Sequence, residues 1–387
     1  MVPLKAFMMV IWNSFTDIRW YRKSNFGPTT AGEERIAMRE RVRIGFVGVG
    51  SMGQMAHLRN YVTNDECEVV AIAEVRRPTA ELVAERYGVP KVYSSYREMT
   101  DAERLDGVVA IMNFTLHAGL LPDLYPRAAN VITEKPLAAS PEAGRKLADA
   151  AAKAGCTHMV AYHKRSDPAT QYAKSVIDQW KASGELGKLK YIRITMPSGD
   201  WVANGMIGRL DGGGELPPLE KEPPMNLPEE VQRKYVAFVN YYIHQVNLMR
   251  HFLGEPYKAT FVDKSDVILT VESASGVCGV IEMTPYQTTL EWEEQALIAF
   301  EKGYIKLKLP APLAVNRPGA VEIYRDPAKG TTPERITPTL PWVHAMRQQA
   351  INFVKVCKGE MAPPCDAAEA LEDLKVAREY LDLWSRR

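Results

Sequence analysis

The sequence predicts an α/β fold: an N-terminal domain with a parallel sheet, followed by a C-terminal α+β domain with a large open, mainly antiparallel sheet. From residue 42 to about 158, short apolar runs alternate with helical segments, which is typical of parallel strands joined by crossover helices. After residue 188, strands with alternating polar and apolar residues recur over short connections, which is typical of an antiparallel sheet with one covered face. A chain of 387 residues is long enough for two such domains.

The domain boundaries follow from where these patterns begin and end. We expect a tail outside the fold over 1–40, a first domain over 41–160 and a second over 161–387. The apolar patch from Pro3 to Trp12 is too short to span a membrane, and no small-residue cleavage site follows it. An arm that packs on a partner subunit is the alternative for this segment.

Composition excludes several classes of function. The formal net charge is +1 and there is no basic block, so neither nucleic acid nor a membrane surface is an expected partner. The five cysteines are an odd number without a C-x-x-C pair, which indicates a reducing compartment and predicts a cytoplasmic protein. We expect no metal site and no disulfide framework.

In the first domain, apolar and branched runs predict the strands, and amphipathic segments between them predict the helices. The predicted strands are 42–47, 69–74, 91–93, 107–112, 130–133 and 157–162. The predicted helices are 78–87, 96–104, 117–129 and 141–154, besides one that follows the first strand. Ser140 before Pro141 is a typical helix cap and first helical residue.

A glycine-rich turn follows the first strand. Gly48, Gly50 and Gly53, with Ser51 and Met52 between the last two, form G-x-G-x-x-G where the strand turns into a helix. The first glycine permits the turn, the second lets a pyrophosphate approach the backbone, and the third allows close packing. The N–H groups of the helix start would hold the phosphates. This pattern predicts a Rossmann-like dinucleotide-binding domain.

The expected cofactor is NAD, because Glu74 ends the next strand about 20 residues after the turn, where an acid can bind the adenosine ribose. Arg76 and Arg77 follow directly and could instead bind a 2′-phosphate, so NADP remains an alternative. Asn113, His117 and Lys135 lie at the carboxyl ends of later strands, where ligands of such sheets bind.

The second domain is predicted to begin with a helix and to continue into the large sheet. The predicted helices are 167–183, 235–254, 343–357 and 366–385, and the predicted strands are 188–195, 259–263, 267–272, 277–283, 288–292, 296–300, 304–309 and 321–324. A long irregular segment over 197–229, rich in Gly and Pro, is expected to be a lid or binding loop. Asn240 and His244 are four residues apart in one predicted helix and should share a face.

Several motifs resemble one known family. Glu134-Lys135-Pro136 is similar to the E-K-P signature of the glucose–fructose oxidoreductase/inositol dehydrogenase (Gfo/Idh/MocA) family, which the chain resembles from about residue 41 onward. The segments 161–165 and 183–188 lie where that family has a basic loop and the lead into its sheet. The resemblance implies a Rossmann domain joined to a domain with an open antiparallel sheet.

The resemblance also implies roles for individual residues. Glu134 and Lys135 would lie at the cofactor, with Lys135 near the nicotinamide ribose and the substrate hydroxyl, where a positive charge stabilises a developing alkoxide. His244 would be the general base, which suits a side chain that titrates near neutrality. Asn240 departs from the family's Asp at this position. His117 matches a family histidine near the cofactor, and a capping or packing role is equally open.

Other residues are candidates for the substrate site: Tyr162, Lys164, Arg165, Trp201 and Tyr241. The predicted function is that of an NAD(P)-dependent oxidoreductase acting on a secondary hydroxyl of a sugar, glycoside or polyol. A redox-assisted enzyme that cleaves glycosides, and a non-catalytic dinucleotide-binding sensor or subunit, are the alternatives. We expect a homo-oligomer, because an open sheet needs its outer face covered.

Overall fold

The computed structural model describes residues 41–386, and the predicted tail over 1–40 lies outside the described residues. The first sheet is parallel, with the strand order β3-β2-β1-β4-β5-β6. Its strands are β1 (Val42–Val47), β2 (Cys67–Ala73), β3 (Lys91–Tyr93), β4 (Gly107–Ala110), β5 (Asn130–Thr133) and β6 (Thr157–Val160). This order confirms the predicted Rossmann-like domain, whose strand order reverses at β1.

The helices between these strands begin and end where the sequence places caps and breakers. They are α1 (Gly53–Leu58 in π-helical form, continued by Arg59–Tyr61), α2 (Arg77–Tyr87), α3 (Tyr96–Ala102), α4 (His117–Leu124) and α5 (Pro141–Ala154). The Ser140 hydroxyl accepts a hydrogen bond from the Ala143 N–H at the start of α5, as predicted, and the left-handed Gly155 ends the helix.

The second sheet has eight strands in the order β14-β13-β12-β11-β7-β10-β9-β8. Its strands are β7 (Leu189–Thr195), β8 (Tyr257–Val262), β9 (Ile268–Ser273), β10 (Cys278–Glu282), β11 (Glu294–Phe300), β12 (Gly303–Leu309), β13 (Ala320–Arg325) and β14 (Glu334–Ile336). All neighbours are antiparallel except β7 and β10. The predicted mainly antiparallel sheet is therefore confirmed.

The helices of the second half are α6 (Pro168–Ser183), α7 (Glu229–Tyr241), α8 (Ile243–Leu253), α9 (Ala345–Cys357) and α10 (Ala367–Trp384). The last two pack back on the first domain. An added Cβ at Gly107 would lie 2.6 Å from the Cys357 sulfur, and one at Gly144 would lie 2.8 Å from Leu374. One buried apolar cluster therefore joins the parallel sheet to the second sheet.

Four element predictions differ from the structure. The strand predicted at 288–292 is a turn, because the Thr288 N–H donates to the Ser198 carbonyl and its hydroxyl contacts the Glu291 carbonyl. The short edge strand β14 was not predicted. The helix predicted to reach residue 129 ends at Leu124, where Pro126 lies in a following 3-10 turn. The helix predicted over 235–254 is divided into α7 and α8.

Candidate active site

The glycine turn after β1 has the geometry that its sequence predicts. Gly48 has a φ of 85°, and a Cβ there would lie 2.3 Å from the Ile111 carbonyl oxygen. A Cβ on Gly53 would lie 2.4 Å from the Gly48 carbonyl oxygen. At Gly50 an added Cβ would meet only a guanidinium nitrogen of Arg76, at 3.6 Å. The backbone at Gly50 is thus open to a ligand, whereas the other two glycines allow close packing.

Glu74 lies at the carboxyl end of β2, but its carboxylate is bound within the protein. Its Oε2 accepts a hydrogen bond from the Val49 N–H at 3.0 Å, and Arg76 donates to both oxygens at 3.0 and 3.1 Å. Burial raises the pKa of Glu74, but the hydrogen bonds from Arg76 and Val49 outweigh it and lower the pKa below its usual value. Arg76 therefore lies between Glu74 and the open face of the turn.

A cavity of about 510 Å³ extends from this turn. Its lining includes Gly48, Gly50, Glu74, Arg76 and Asn113, so five of the predicted cofactor-binding residues lie around one space. A glycine turn open at Gly50, a helix start and a cavity of this size fit a dinucleotide.

The other predicted cofactor residues have different surroundings. Met52 and Glu134 line a second cavity, and the Ser51 hydroxyl lies 3.4 Å from a nitrogen of Arg209. His117 is fully buried, and its Nδ1 is 2.9 Å from the Leu137 carbonyl oxygen. Burial lowers the pKa of His117 to about 4. We therefore assign His117 to packing, which the sequence had left open.

The long segment between β7 and α7 crosses the dinucleotide cavity. The Gln54 side chain makes hydrogen bonds with both the N–H and the carbonyl of Leu210, and the Thr79 hydroxyl bonds Gly212 and Gly213. Further along, a Glu222 carboxylate oxygen accepts from the Ala139 N–H at 2.9 Å. Leu216, Leu219 and Glu220, which lie between these attachments, line the cavity. This arrangement agrees with the predicted lid or binding loop.

The second cavity, of about 310 Å³, lies beside the first, and both are lined by Met112 and Asn113. It brings together most of the predicted catalytic and substrate residues, Lys135, Lys164, Trp201, Asn240, Tyr241 and His244, with Glu134, which was predicted to lie at the cofactor. Glu134 Oε1 lies 2.7 Å from Nε2 of His57 in α1, and the Lys135 Nζ donates to the Asn240 carbonyl at 2.6 Å. Burial lowers the pKa of Lys135, which the nearby Glu134 opposes.

His244 lies one residue after the start of α8 and faces other aromatic rings. Its ring centroid is 4.7 Å from that of His163 and 5.9 Å from that of Tyr162. Its Nδ1 is buried and has no hydrogen-bond partner in the described part of the chain. Burial, followed by the charges of Lys135 and nearby groups, lowers the pKa of His244 well below its usual value. The imidazole is therefore neutral near pH 7 and can accept a proton.

Asn240 and His244 line the same cavity, but they do not belong to one continuous helix as predicted. The helix ends at Tyr242, whose N–H donates to the Phe238 carbonyl and whose own carbonyl accepts from Gln245 and Val246. Asn240 therefore belongs to α7 and His244 to α8. The break leaves the Asn240 carbonyl available to Lys135, while the Asn240 side chain is exposed.

Two predicted substrate residues do not line this cavity. Arg165 donates to Asn247, to the Pro364 carbonyl and to both oxygens of Glu369, so it fixes the C-terminal helix. Tyr162 is buried behind His244, and its hydroxyl has no partner among residues 41–386. By contrast, Trp201 is 39% exposed at the cavity, where a face is available for stacking.

The sequence did not predict the inner wall of the cavity, where Met196 and Trp292 form part of the lining. Gln245 and Glu294 lie behind this wall. A Glu294 carboxylate oxygen lies 2.5 Å from the Lys164 Nζ, and the Gln245 amide donates to the same oxygen at 2.7 Å. One signal was available: Glu294 is in phase with Ala296, Ile298 and Phe300 on the buried face of β11. An acidic residue at a strand position whose neighbours on the same face are apolar indicates a buried polar contact.

The described residues contain no group of three or more His, Cys, Asp or Glu side chains that could hold a metal ion. Within that same range, no helix is long and apolar enough to cross a membrane.

Comparison with known proteins places these features in a wider context. Residues 42–162 match the family model GFO_IDH_MocA, described as an oxidoreductase family with an NAD-binding Rossmann fold. An uncharacterized oxidoreductase of Bacillus subtilis, YrbE, is 19% identical over 88% of this chain and 94% of its own. The scyllo-inositol 2-dehydrogenase (NAD(+)) of the same organism is 23% identical over 63% of this chain and 68% of its own.

The solved structures show the same fold. Levoglucosan dehydrogenase, in complex with NADH and levoglucosan, superposes with a TM-score of 0.67, at 18% identity over 90% of this chain and 98% of its own.

Proposed function

We propose that this chain, whose residues 42–162 match the family model GFO_IDH_MocA of NAD-binding oxidoreductases, oxidises, or in reverse reduces, a secondary hydroxyl of a sugar, glycoside or polyol. The observation that carries this proposal is the single cavity that holds Lys135 and His244 and adjoins the dinucleotide cavity at Met112 and Asn113. The scyllo-inositol and levoglucosan dehydrogenases support the substrate class.

The dinucleotide, when bound, accepts the hydride from the substrate carbon. The open backbone at Gly50 would admit its pyrophosphate, and Arg76 or Glu74 would bind its adenosine ribose. The residues of the second cavity then act on the substrate hydroxyl. Lys135 stabilises negative charge on the reacting oxygen, and the neutral imidazole of His244 takes the hydroxyl proton.

Three observations support these roles of Lys135 and His244. The Asn240 carbonyl and Pro136 hold Lys135 at the end of β5. The Nδ1 of His244 is not occupied by another group of the described chain. Asn113 lines both cavities, so a nicotinamide that reaches it would meet a substrate in the second cavity.

A panel of sugars, glycosides and polyols, assayed by the absorbance of the reduced nicotinamide with NAD and with NADP, tests the proposal. Mass spectrometry of the purified protein would identify any cofactor that it retains. We expect reduction of the cofactor with at least one neutral member of the panel. Cofactor binding without any spectral change would instead favour a non-catalytic dinucleotide-binding protein.

We also propose that the protein forms homo-oligomers in a reducing compartment. All five cysteines are free thiols. The outer face of the second sheet carries the exposed side chains of Phe261 and Ile268. A strictly monomeric sedimentation profile at micromolar concentration would contradict the first part of this proposal.

A further inference from the structure

The inner wall of the second cavity contains an ion pair that the proposed chemistry does not use. Lys164 and Glu294 have side chains only 5% and 1% exposed, and the Lys164 Nζ contacts both carboxylate oxygens. Lys164 lines the cavity, whereas Glu294 lies behind it and also accepts from the Gln245 amide. The free energy needed to remove the two charges of such a pair from water offsets much of the attraction between them. A contribution to stability therefore does not by itself explain why the pair is present.

A second observation points to a ligand at the same wall. Trp292 also lines the cavity and is 91% buried, and its indole Nε1 has no hydrogen-bond partner in the part of the chain that the structure describes. The Lys164 Nζ lies 5.7 Å from the centre of the Trp292 ring. A buried donor without a partner costs free energy unless a ligand group or water satisfies it. A hydroxyl group of a substrate at this wall would accept from the Lys164 ammonium.

The charges around the cavity cancel. Its lining contains the cations Lys135 and Lys164 and the anion Glu134, and Glu294 supplies a second negative charge directly behind Lys164. Burial lowers the pKa of His163 to about 3 and that of His244 well below its usual value, so both imidazoles are neutral.

We infer that the Lys164–Glu294 pair is a specificity element that selects an uncharged polyhydroxyl substrate and rejects its carboxylate or phosphate counterparts. This inference rests on the proposed function and names its substrate class more narrowly. Glu294 already neutralises Lys164, so an anionic substituent at the inner wall would be buried beside Glu294 without a free cation. Rejection of the wrong ligand by an unpaired charge is an effective source of selectivity. A hydroxyl group at the same place accepts from Lys164 and adds no charge.

The test measures kcat/KM for glucose against glucuronate and for galactose against galacturonate, using whichever pair has a neutral member that the panel shows to be a substrate. Glu294→Gln keeps the size of the side chain and one acceptor oxygen but removes the negative charge that pairs with Lys164. We expect the ratio of uronate to neutral sugar to rise at least tenfold in this variant. Glu293→Gln is the matched control, because this neighbouring glutamate pairs with Lys308 away from the cavity, and it should leave the ratio unchanged.

A second variant reverses the effect. Adding Lys164→Met to Glu294→Gln removes the unpaired cation, and the preference for the neutral sugar should return.

A ratio of uronate to neutral sugar in Glu294→Gln within twofold of the wild type would overturn the inference while leaving the proposed function intact. So would competitive inhibition of the wild type by the uronate with a constant at or below the KM of the neutral sugar, a result that does not depend on how the variants fold. Absence of hydride transfer from every neutral sugar would instead refute the proposed function itself, and the inference with it.

Discussion

The Nζ of Lys135 and the backbone carbonyl oxygen of Asn240 lie 2.6 Å apart and join the end of β5 to the end of α7. The contact exists because α7 stops at Tyr242, so the Asn240 carbonyl is left for a donor outside the helix. A backbone carbonyl fixes the ammonium in position without neutralising it. Because this carbonyl carries no negative charge of its own, the ammonium can also stabilise negative charge on an oxygen in the cavity.

Replacing Lys135 by Ala is expected to lower kcat by two orders of magnitude or more, because a preorganised charge at a developing alkoxide contributes roughly 3 kcal/mol. Binding of NAD should change little, since the glycine turn is untouched. Fluorescence titration and steady-state kinetics would measure the two effects. Lys174→Ala is the control, because Lys174 pairs with Asp178 on the surface. Near-normal turnover of Lys135→Ala would remove this lysine from the mechanism.

Glu74 and Arg76 should set the choice between NAD and NADP. Glu74→Ala removes an acid that can bind ribose hydroxyls and releases Arg76 from two hydrogen bonds. We expect the affinity for NAD relative to NADP to fall by about tenfold, the size of effect given by one charge-assisted hydrogen bond. Arg76→Ala should shift the preference the other way, and Arg77→Ala, which loses a surface pair with Glu81, should leave it unchanged. The opposite order of dissociation constants would show that the ribose site has been misassigned.

The segment that crosses the dinucleotide cavity should slow release of the cofactor. Thr79→Val removes the hydroxyl that bonds Gly212 and Gly213 but keeps the shape of the side chain. The loss of two hydrogen bonds should raise the dissociation rate of the reduced cofactor by about tenfold. Stopped-flow displacement would measure the rate, with Thr100→Val in α3 as the control. An unchanged rate would mean that the segment does not have to open for the cofactor to leave.

Acidification should destabilise the protein already at pH values well above those at which carboxylates titrate. Burial lowers the pKa of six of the seven histidines: His117, His158, His163, His244, His251 and His344. Below about pH 6.5 the unfolded chain takes up protons at these positions and the folded chain does not. Each of these histidines therefore lowers the free energy of unfolding by up to about 1.4 kcal/mol per pH unit.

Three carboxyl groups oppose this loss, because Asp167, Glu222 and Asp373 have raised pKa values and bind protons more readily in the folded state. The histidines outnumber them, so the free energy of unfolding should fall by several kcal/mol between about pH 7.5 and about pH 5.5. Urea denaturation at the two pH values measures it. Equal or greater stability at the lower pH would show that these imidazoles are protonated in the folded protein.

The sequence was sufficient for the architecture and for the main contents of the site. The G-x-G-x-x-G turn and the alternation of apolar runs predicted the parallel sheet because both depend on local backbone requirements. Lys135 and His244 were predicted from their resemblance to motifs of the Gfo/Idh/MocA family, and both line the second cavity. Asn240 and His244 were placed on one helix face because periodicity alone does not show a break at Tyr242.

Contacts between distant segments were the part that the sequence did not predict. Glu294 lies 130 residues from Lys164, and their pairing depends on the register of β11 beside β7. The role of Arg165 was missed for the same reason, since its partners Asn247 and Glu369 come from α8 and α10. A basic residue near a site carries no signal in the sequence for whether it faces the cavity or a buried acid.

His244 should make oxidation depend on a group with an unusually low pKa. Burial, followed by the charges of Lys135 and Lys164, lowers the pKa of this imidazole, and no carboxylate of the described chain bonds its Nδ1. Since the base must be neutral, kcat/KM should fall only as the pH drops through a value below about 6.5. Asn240→Asp adds a negative charge to the wall of the same cavity, which favours imidazolium, so the inflection should move to higher pH.

His244→Ala should remove the inflection and most of the rate. His251→Ala is the control, because His251 lies on the same helix but outside the cavity lining, and it should keep the inflection. An unchanged profile in Asn240→Asp, together with substantial activity in His244→Ala, would exclude His244 as the base and direct attention to Tyr241, whose hydroxyl-bearing side chain also lines this cavity.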